Sequence, residues 1–257
     1  MVTIRLEALG ARYGRNLLLR DVTTPSFAGG DVVAVIGPNA AGKSTLFKRI
    51  AGLLDGPGRL YVEGTKPGRN SICYMPQETS ANAVLTVYES VLLARKQGTG
   101  WSVAEDDLAR IDETIAALGI ASIAFRNIGE LSGGQRQLVS LAQTLVREPE
   151  ILLMDEPTSA LDLSRQVEVL TYMRSLARAR GMVVLIALHD LNHALRFCNQ
   201  AMVIANGKLV SSGRSSDIIT PALLRDVYRV EARIEPCSRG IGNVIVDGVT
   251  AQGRSFA

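Results

Sequence analysis

The segment Gly37-Pro-Asn-Ala-Ala-Gly-Lys-Ser-Thr45 follows the pattern G-x-x-x-x-G-K-[S/T]. A glycine loop that opens into a helix aims successive backbone N–H groups at one point, and the helix start adds positive potential. Such a segment suits phosphate oxygens. Lys43 would reach the β- and γ-phosphates of a nucleoside triphosphate, and the Ser44 hydroxyl would ligate Mg²⁺. A second segment, Ile151-Leu-Leu-Met-Asp-Glu-Pro157, places two carboxylates at the end of an apolar run. Asp155 can reach the metal through its water shell, and Glu156 can polarise a water for in-line attack on the γ-phosphate. A strand that ends in Asp-Glu is common on its own. Its meaning comes from sharing a chain with the phosphate loop.

These groups need a scaffold that presents them together. Short apolar, partly β-branched runs mark the buried strands: Val32–Ile36, Ser71–Met75, Ile151–Met154 and Met182–Ala187. Helical spacing lies between them, over Lys43–Ala51, Ala104–Leu118, Gln135–Arg147 and Leu163–Ala179. Strands alternating with helices predict an α/β fold, a phosphate-loop NTPase core whose mostly parallel sheet is covered on both faces. Between Gln77 and Pro149 only helical periodicity is present, so a helical subdomain, about 78–149, is expected as an insertion into that core. Asn206-Gly207 lies between two runs and suits a two-residue hairpin turn with positive φ. Antiparallel β structure is therefore expected at the edge of the sheet.

Composition narrows the classes further. With 257 residues, 47% apolar and 21% charged, the chain is long enough for a substantial core and too apolar for global disorder. A net charge of +3 is too small to argue for nucleic-acid binding, and no nucleic-acid partner is expected. Cys73, Cys198 and Cys237 are too few and too widely spaced for a disulfide framework or a zinc site. The start, Met1 to Glu7, carries Arg5 and Glu7 and no apolar signal core. The longest apolar stretch, Gly181 to Leu188, is far short of the ~20 residues that span a bilayer. The expectation is a chain on the cytoplasmic side.

Leu131-Ser-Gly-Gly-Gln135 separates the phosphate-loop families. With it, residues 3–230 resemble the ATP-binding subunits of ATP-binding-cassette (ABC) transporters. The ordered elements are Tyr13, the phosphate loop, Tyr74-Met-Pro-Gln77, Leu131–Gln135, Asp155-Glu156, Ser159-Ala-Leu-Asp162 and His189. The resemblance implies ATP and Mg²⁺ as ligands, with two copies of the chain paired head to tail around the nucleotide. Tyr13 would then stack on adenine, and residues Gly37, Pro38, Asn39, Ala40, Ala41, Gly42, Lys43, Ser44 and Thr45 would cradle the phosphates. Mg²⁺ would be held by Ser44, Gln77 and Asp155. The second copy would close on the γ-phosphate with Ser132, Gly133, Gly134 and Gln135, beside its Asp162 loop. Catalysis would fall to Glu156, His189 and Lys43. Taken alone, Ser132 reads better as a helix cap, His189 as a structural histidine and Tyr13 as a strand or turn aromatic; the family pattern is what turns each towards function. His193, one helical turn after His189, reads as a helix-surface residue. The family most often carries glycine where this chain has Ala40. Because the motif needs glycine only at Gly37 and Gly42, position 40 is not expected to require positive φ.

The same resemblance implies partners: transmembrane permease subunits, met through Gln77 and the helical subdomain, and indirectly a substrate-binding protein. An exposed apolar groove is expected on that subdomain, near Val84–Val91, although core packing explains the stretch equally well. The implied place is the cytoplasmic face of the inner membrane, as a peripheral subunit. Details lean towards importers of ferric siderophore, haem and cobalamin: Ala40-Ala41 in the loop, Ser140–Val146, Thr158–Leu163, Leu188-His-Asp-Leu-Asn192 and the tail Val227–Val249. After a cassette over 1–230, the extension 231–257 is too short for the regulatory β-domain of sugar importers. An ABC exporter subunit and a soluble cassette of iron–sulfur assembly type are the alternatives. The stretch from Gly37 to Leu131 is too short for the coiled-coil insertions of the DNA-repair members.

Overall fold

The computed structural model describes residues 1–66, 71–77, 84–98, 100 and 102–250. Along the chain come β1 (Thr3–Glu7), β2 (Leu9–Tyr13), β3 (Asn16–Val22), β4 (Phe27–Ala28), β5 (Val32–Ile36), α1 (Lys43–Ile50), β6 (Arg59–Glu63) and β7 (Ile72–Met75). The helical insertion supplies α2 (Val87–Lys96), α3 (Glu105–Ala117) and α4 (Gly133–Leu145). The core resumes with β8 (Ile151–Asp155), α5 (Leu163–Arg180), β9 (Val183–Ala187), α6 (Leu191–Phe197), β10 (Gln200–Ala205) and β11 (Lys208–Arg214). Short turns α7 (Ser215–Ile218) and α8 (Pro221–Leu223) and a π-helical turn at Leu224–Tyr228 lead into the hairpin β12 (Val230–Pro236) and β13 (Gly242–Val249).

The main sheet has the order β11-β10-β5-β9-β8-β7. All its pairings are parallel except β10–β11, whose Asn206-Gly207 turn has φ of 50° and 70°, as the dipeptide predicts. Every residue of β5, β8 and β9 is buried. Side chains alternate between the two faces. Val33, Val35, Leu153 and Leu185 meet Leu46, Phe47 and Ile50 of α1 together with β1–β3, while Ala34, Ile36, Leu152 and Ile186 meet α4 and α5. Burial on both faces explains why these strands are continuous apolar runs. The antiparallel edge of the main sheet is β11, while a β4-β1-β6 sheet and a β2–β3 hairpin are separate from it and pack over α1.

Helix starts carry their own signals. Thr86 and Glu89 form a reciprocal capping box at α2, Ser132 and Gln135 do the same at α4, and Asp162 accepts from the Arg165 N–H at α5. Gly181, at φ 63°, ends α5 in the left-handed conformation that stops helices. Within the insertion, Arg95 fans its guanidinium to Asp107 (3.0 Å), Glu148 (3.0 Å) and the Val146 carbonyl (3.0 Å), and so ties α2 to α3 and to the end of α4. The insertion's expected first residues, 78–83, lie outside the described set.

Two expectations change here. Val87 and Val91 are wholly buried, so their stretch is core; of the residues 84–91, Val84 stands out in solvent at 91% exposure. An apolar residue at α-helical spacing reads the same whether it faces a core or a groove, and here α4 covers the face. His193 is buried rather than on the helix surface, with 8% exposed and its ring edge-on to Phe197 at 5.8 Å. The side of α6 that carries His193 is the side packed inward.

Replacing Leu153 by alanine removes a fully buried side chain from β8, next to α1. The unfolding free energy should fall by about 2–5 kcal/mol in urea titration. A loss under about 1 kcal/mol would show that this face does not depend on close packing.

Candidate functional site

Where β5 ends, the backbone must turn at once towards α1 without pulling away from β10. Gly37 makes this possible. Its φ is 149°, and a Cβ there would overlap the Ile204 carbonyl oxygen of β10. Ala40 follows with φ 58°, so the expectation for position 40 is wrong: the loop does bend through the left-handed region there, and alanine bears the strain. Gly42, at φ 109°, stands at the start of α1, where no side chain caps the helix. The first N–H groups of α1 therefore point into open space, with no acidic residue in the first turn.

Lys43 lies in the first turn of α1 and is 6% exposed. Its ammonium donates to the carbonyls of Gly37 (2.8 Å) and Pro38 (3.1 Å). Burial lowers its pKa from the ordinary lysine value, and the charges of Glu156 and Asp155 oppose that shift. Asn39 through Thr45 line a cavity of about 730 Å³ together with Gln77, Glu156 and His189. Residues that follow the ends of four strands, β5, β7, β8 and β9, thus meet at one opening outside the carboxyl ends of the parallel strands.

At the end of β8, Asp155 is 2% exposed. One carboxylate oxygen accepts from the Tyr74 hydroxyl at 3.2 Å, while the other, Oδ1, is buried without a hydrogen-bond partner. Burial, and next the Asp155 charge, push the Tyr74 pKa up, so the phenol remains a donor. Glu156 adopts a left-handed φ of 51°, which a non-glycine residue holds only when its surroundings fix it. Gln77 Nε2 donates to Glu156 Oε2 at 2.6 Å, and His189 Nε2 contacts Oε1. Gln77, Glu156 and His189, far apart in sequence, form one cluster at the mouth of the loop.

Gln137 is the residue that sequence reasoning missed. It is 7% exposed on α4, donates to the Glu156 carbonyl (2.8 Å) and Ser159 Oγ (3.2 Å), and accepts from the Ala160 N–H (3.0 Å). A glutamine next to the apolar stripe Leu138–Leu141 is the signal that could have marked it.

The remaining predicted residues are elsewhere. Ser132, Gly133, Gly134, Gln135 and Asp162 line a second cavity, of about 510 Å³, with Arg165 at its side. There Ser132 and Gln135 are occupied with each other's backbone (3.3 and 3.0 Å), and Asp162 caps α5. Gly134 is the tight position: a Cβ would come within 2.9 Å of the Ala160 carbonyl oxygen, whereas one at Gly133 would make only an ordinary contact. Tyr13, at the end of β2, is 73% exposed and lines neither cavity. Asp155 lies beneath the first cavity rather than in its lining.

The chain matches the family described as ABC transporter over residues 21–159. It is 34% identical over 244 residues to the iron(3+)-hydroxamate import ATP-binding protein of Bacillus subtilis, covering 91% of this chain and 90% of that one. To the hemin import ATP-binding protein of Bordetella avium it is 32% identical over 261 residues, covering 95% and 99%. Among solved structures, a chain of a metal-chelate type ABC transporter in an inward-facing conformation superposes with a TM-score of 0.83 at 27% identity, covering 96% of this chain and 98% of that one.

The strain at Ala40 is measurable. Ala40→Gly should raise the unfolding free energy by up to about 1 kcal/mol, since relief of the left-handed penalty exceeds the entropy that glycine adds to the unfolded chain. A less stable variant in denaturant titration would show that Ala40 is unstrained.

Proposed function

We propose a function from one premise: this chain belongs to the ABC transporter family of ATP-binding subunits. Membership makes it an ATPase that binds ATP, working with membrane permease subunits. No helix among the described residues is long and apolar enough to cross a membrane. The specific function we infer is to power uptake of a ferric siderophore or a related metal chelate. The cargo rests on the relatives, which import iron(3+)-hydroxamate and hemin, and on the metal-chelate type structural neighbour. The subunit would sit at the cytoplasmic face of the inner membrane, and a substrate-binding protein would deliver cargo on the far side.

The observation that carries hydrolysis is the Gln77–Glu156–His189 cluster at the mouth of the phosphate-loop cavity. In the proposed mechanism the uncapped N–H groups at the start of α1 and the Lys43 ammonium receive the β- and γ-phosphates. A desolvated cation gains most from an anion, so the burial that depresses Lys43 strengthens that contact. Glu156 takes a proton from the attacking water, whose oxygen bonds to the γ-phosphorus as the bond to the ADP oxygen breaks. His189 holds Glu156 and the water in line, and Tyr13 offers a free ring face to adenine.

Mg²⁺ fits the residues present. Asp155 Oδ1 is a buried anionic oxygen with no protein donor, and Ser44 and Gln77 line the cavity above it. Among the described residues no group of three or more His, Cys, Asp and Glu could hold a metal ion alone, which suits a cation that shares its ligands with phosphate oxygens and water. Held by Ser44, Gln77 and Asp155, Mg²⁺ would offset phosphate charge.

Ser132–Gln135 and Asp162 line a cavity separate from the phosphate loop of the same chain. That separation supports a head-to-tail pair in which each copy completes the other's site. ATP would bridge the two copies, and hydrolysis would release them.

Glu156→Gln should retain ATP binding, lower turnover by at least about 10²-fold and trap the paired state; near-normal turnover would remove Glu156 from its role. Ser132→Arg should leave ATP binding to its own loop intact and block hydrolysis in trans. If instead binding is lost, the head-to-tail arrangement is wrong.

A further inference from the structure

Glu156 stands in a backbone conformation that its own sequence opposes. A residue before proline is pushed towards extended backbone, and Pro157 follows, yet φ at Glu156 is 51°. A non-glycine residue keeps such geometry only where the bonds around it impose it. Three donors meet the Glu156 carbonyl: Gln137 Nε2 at 2.8 Å, Ser159 Oγ at 3.1 Å and the Ser159 N–H at 3.2 Å. The two from Ser159 belong to the turn that Glu156 itself begins, so they move with it. The bond from Gln137 comes from α4, a separate element, and fixes the carbonyl relative to the rest of the protein.

The rest of that buried amide is used in the same place. Nε2 also donates to Ser159 Oγ (3.2 Å), and Oε1 accepts from the Ala160 N–H (3.0 Å). Gln137 therefore grips both ends of the turn Glu156–Ala160, and its amide cannot rotate without leaving a buried polar group unpaired. Gln166, in the first turn of α5, holds the same loop further on, through the carbonyls of Thr158 (3.2 Å) and Leu161 (2.9 Å). On the other side of Glu156, the carboxylate meets Gln77 and His189 at the mouth of the phosphate-loop cavity. Gln137 lines neither cavity, so it touches no reacting atom.

We propose that Gln137 is a positioning residue for hydrolysis: by holding the Glu156 carbonyl in its left-handed geometry, it keeps the carboxylate in line with the attacking water. The proposal deepens the ATPase reading and rests on it. A general base must stay within hydrogen-bond reach of the proton it takes, and a misplacement of about 1 Å can cost about 10²-fold in rate. Phosphate binding falls to Lys43 and the start of α1, which Gln137 does not touch. Its loss should therefore slow the chemistry and leave nucleotide affinity in place.

The test uses the full chain with Gln137→Met, which keeps the length of the side chain and deletes its donor and acceptor. At saturating ATP, kcat should fall about tenfold, with equilibrium ATP affinity within twofold of wild type. A kcat change below threefold overturns the proposal, and so does a loss of affinity as large as the loss of kcat. On a Glu156→Gln background, the same substitution should change the residual single-turnover rate less than twofold, because the group it positions is gone. A further tenfold loss there would show that Gln137 does not act through Glu156. Ala160 is exposed, so slow solvent exchange of its N–H in the nucleotide-free wild type reports the bond to Gln137. That amide should exchange at least tenfold faster in Gln137→Met. Rapid exchange in wild type overturns the proposal even if the variant fails to fold. Near-normal turnover by Glu156→Gln alone would instead overturn the reading of Glu156 as the base, on which the proposal rests.

Discussion

Lys43 carries an ammonium into a site where 6% of the residue is exposed, held by the carbonyls of Gly37 and Pro38. Backbone dipoles offset part of the desolvation cost, and the nearby carboxylates of Asp155 and Glu156 offset more. For the carbonyls to converge, β5 must end against β10 so closely that only glycine fits at 37, and the loop must pass through left-handed geometry at 40 and 42. For the carboxylates to be in range, β8 must lie in the same sheet, next to β9 and in parallel register. The continuous apolar strands and their burial on both faces are what hold that arrangement against the electrostatic cost at its rim.

A second coupling runs from the same rim into the helical insertion. Gln137 binds the Glu156 carbonyl, Ser159 and the Ala160 N–H, while Gly134 lets α4 lie against the Ala160 carbonyl. The helix that starts at Ser132 and the loop that starts at Glu156 are therefore one mechanical unit. The left-handed backbone of Glu156 is fixed by these bonds from the other side of its peptide. A displacement of the insertion would reach Glu156 through Gln137, and in the proposed function this bond would link a permease on the helices to the carboxylate.

Local chemistry was legible in the sequence, and long-range chemistry was not. The strands Val32–Ile36 and Ile151–Asp155, the phosphate loop and the Asn206-Gly207 turn all follow from residue types within a few positions. Helix α2 has a readable start in Thr86 and Glu89, yet the apolar run that follows it suits a groove as well as a core. Strand β12 alternates Val230, Ala232 and Ile234 with charged residues, a period-2 pattern that marks a strand without showing what it packs against. Backbone strain at Ala40 and the inward face of His193 depend on what packs above them. The bonds Tyr74–Asp155 and Asn192–Val244 join segments that only the folded topology brings together.

The phosphate loop and Ser132–Gln135 line different cavities of one chain, and from this we propose that catalysis belongs to a pair. The direct measurement is ATP turnover per chain as a function of protein concentration, with the oligomeric state followed by sedimentation in the same solutions. Turnover per chain should be near zero where only monomers are present and rise with the fraction of pairs. Full turnover in solutions that contain only monomers, at saturating ATP, would contradict the account.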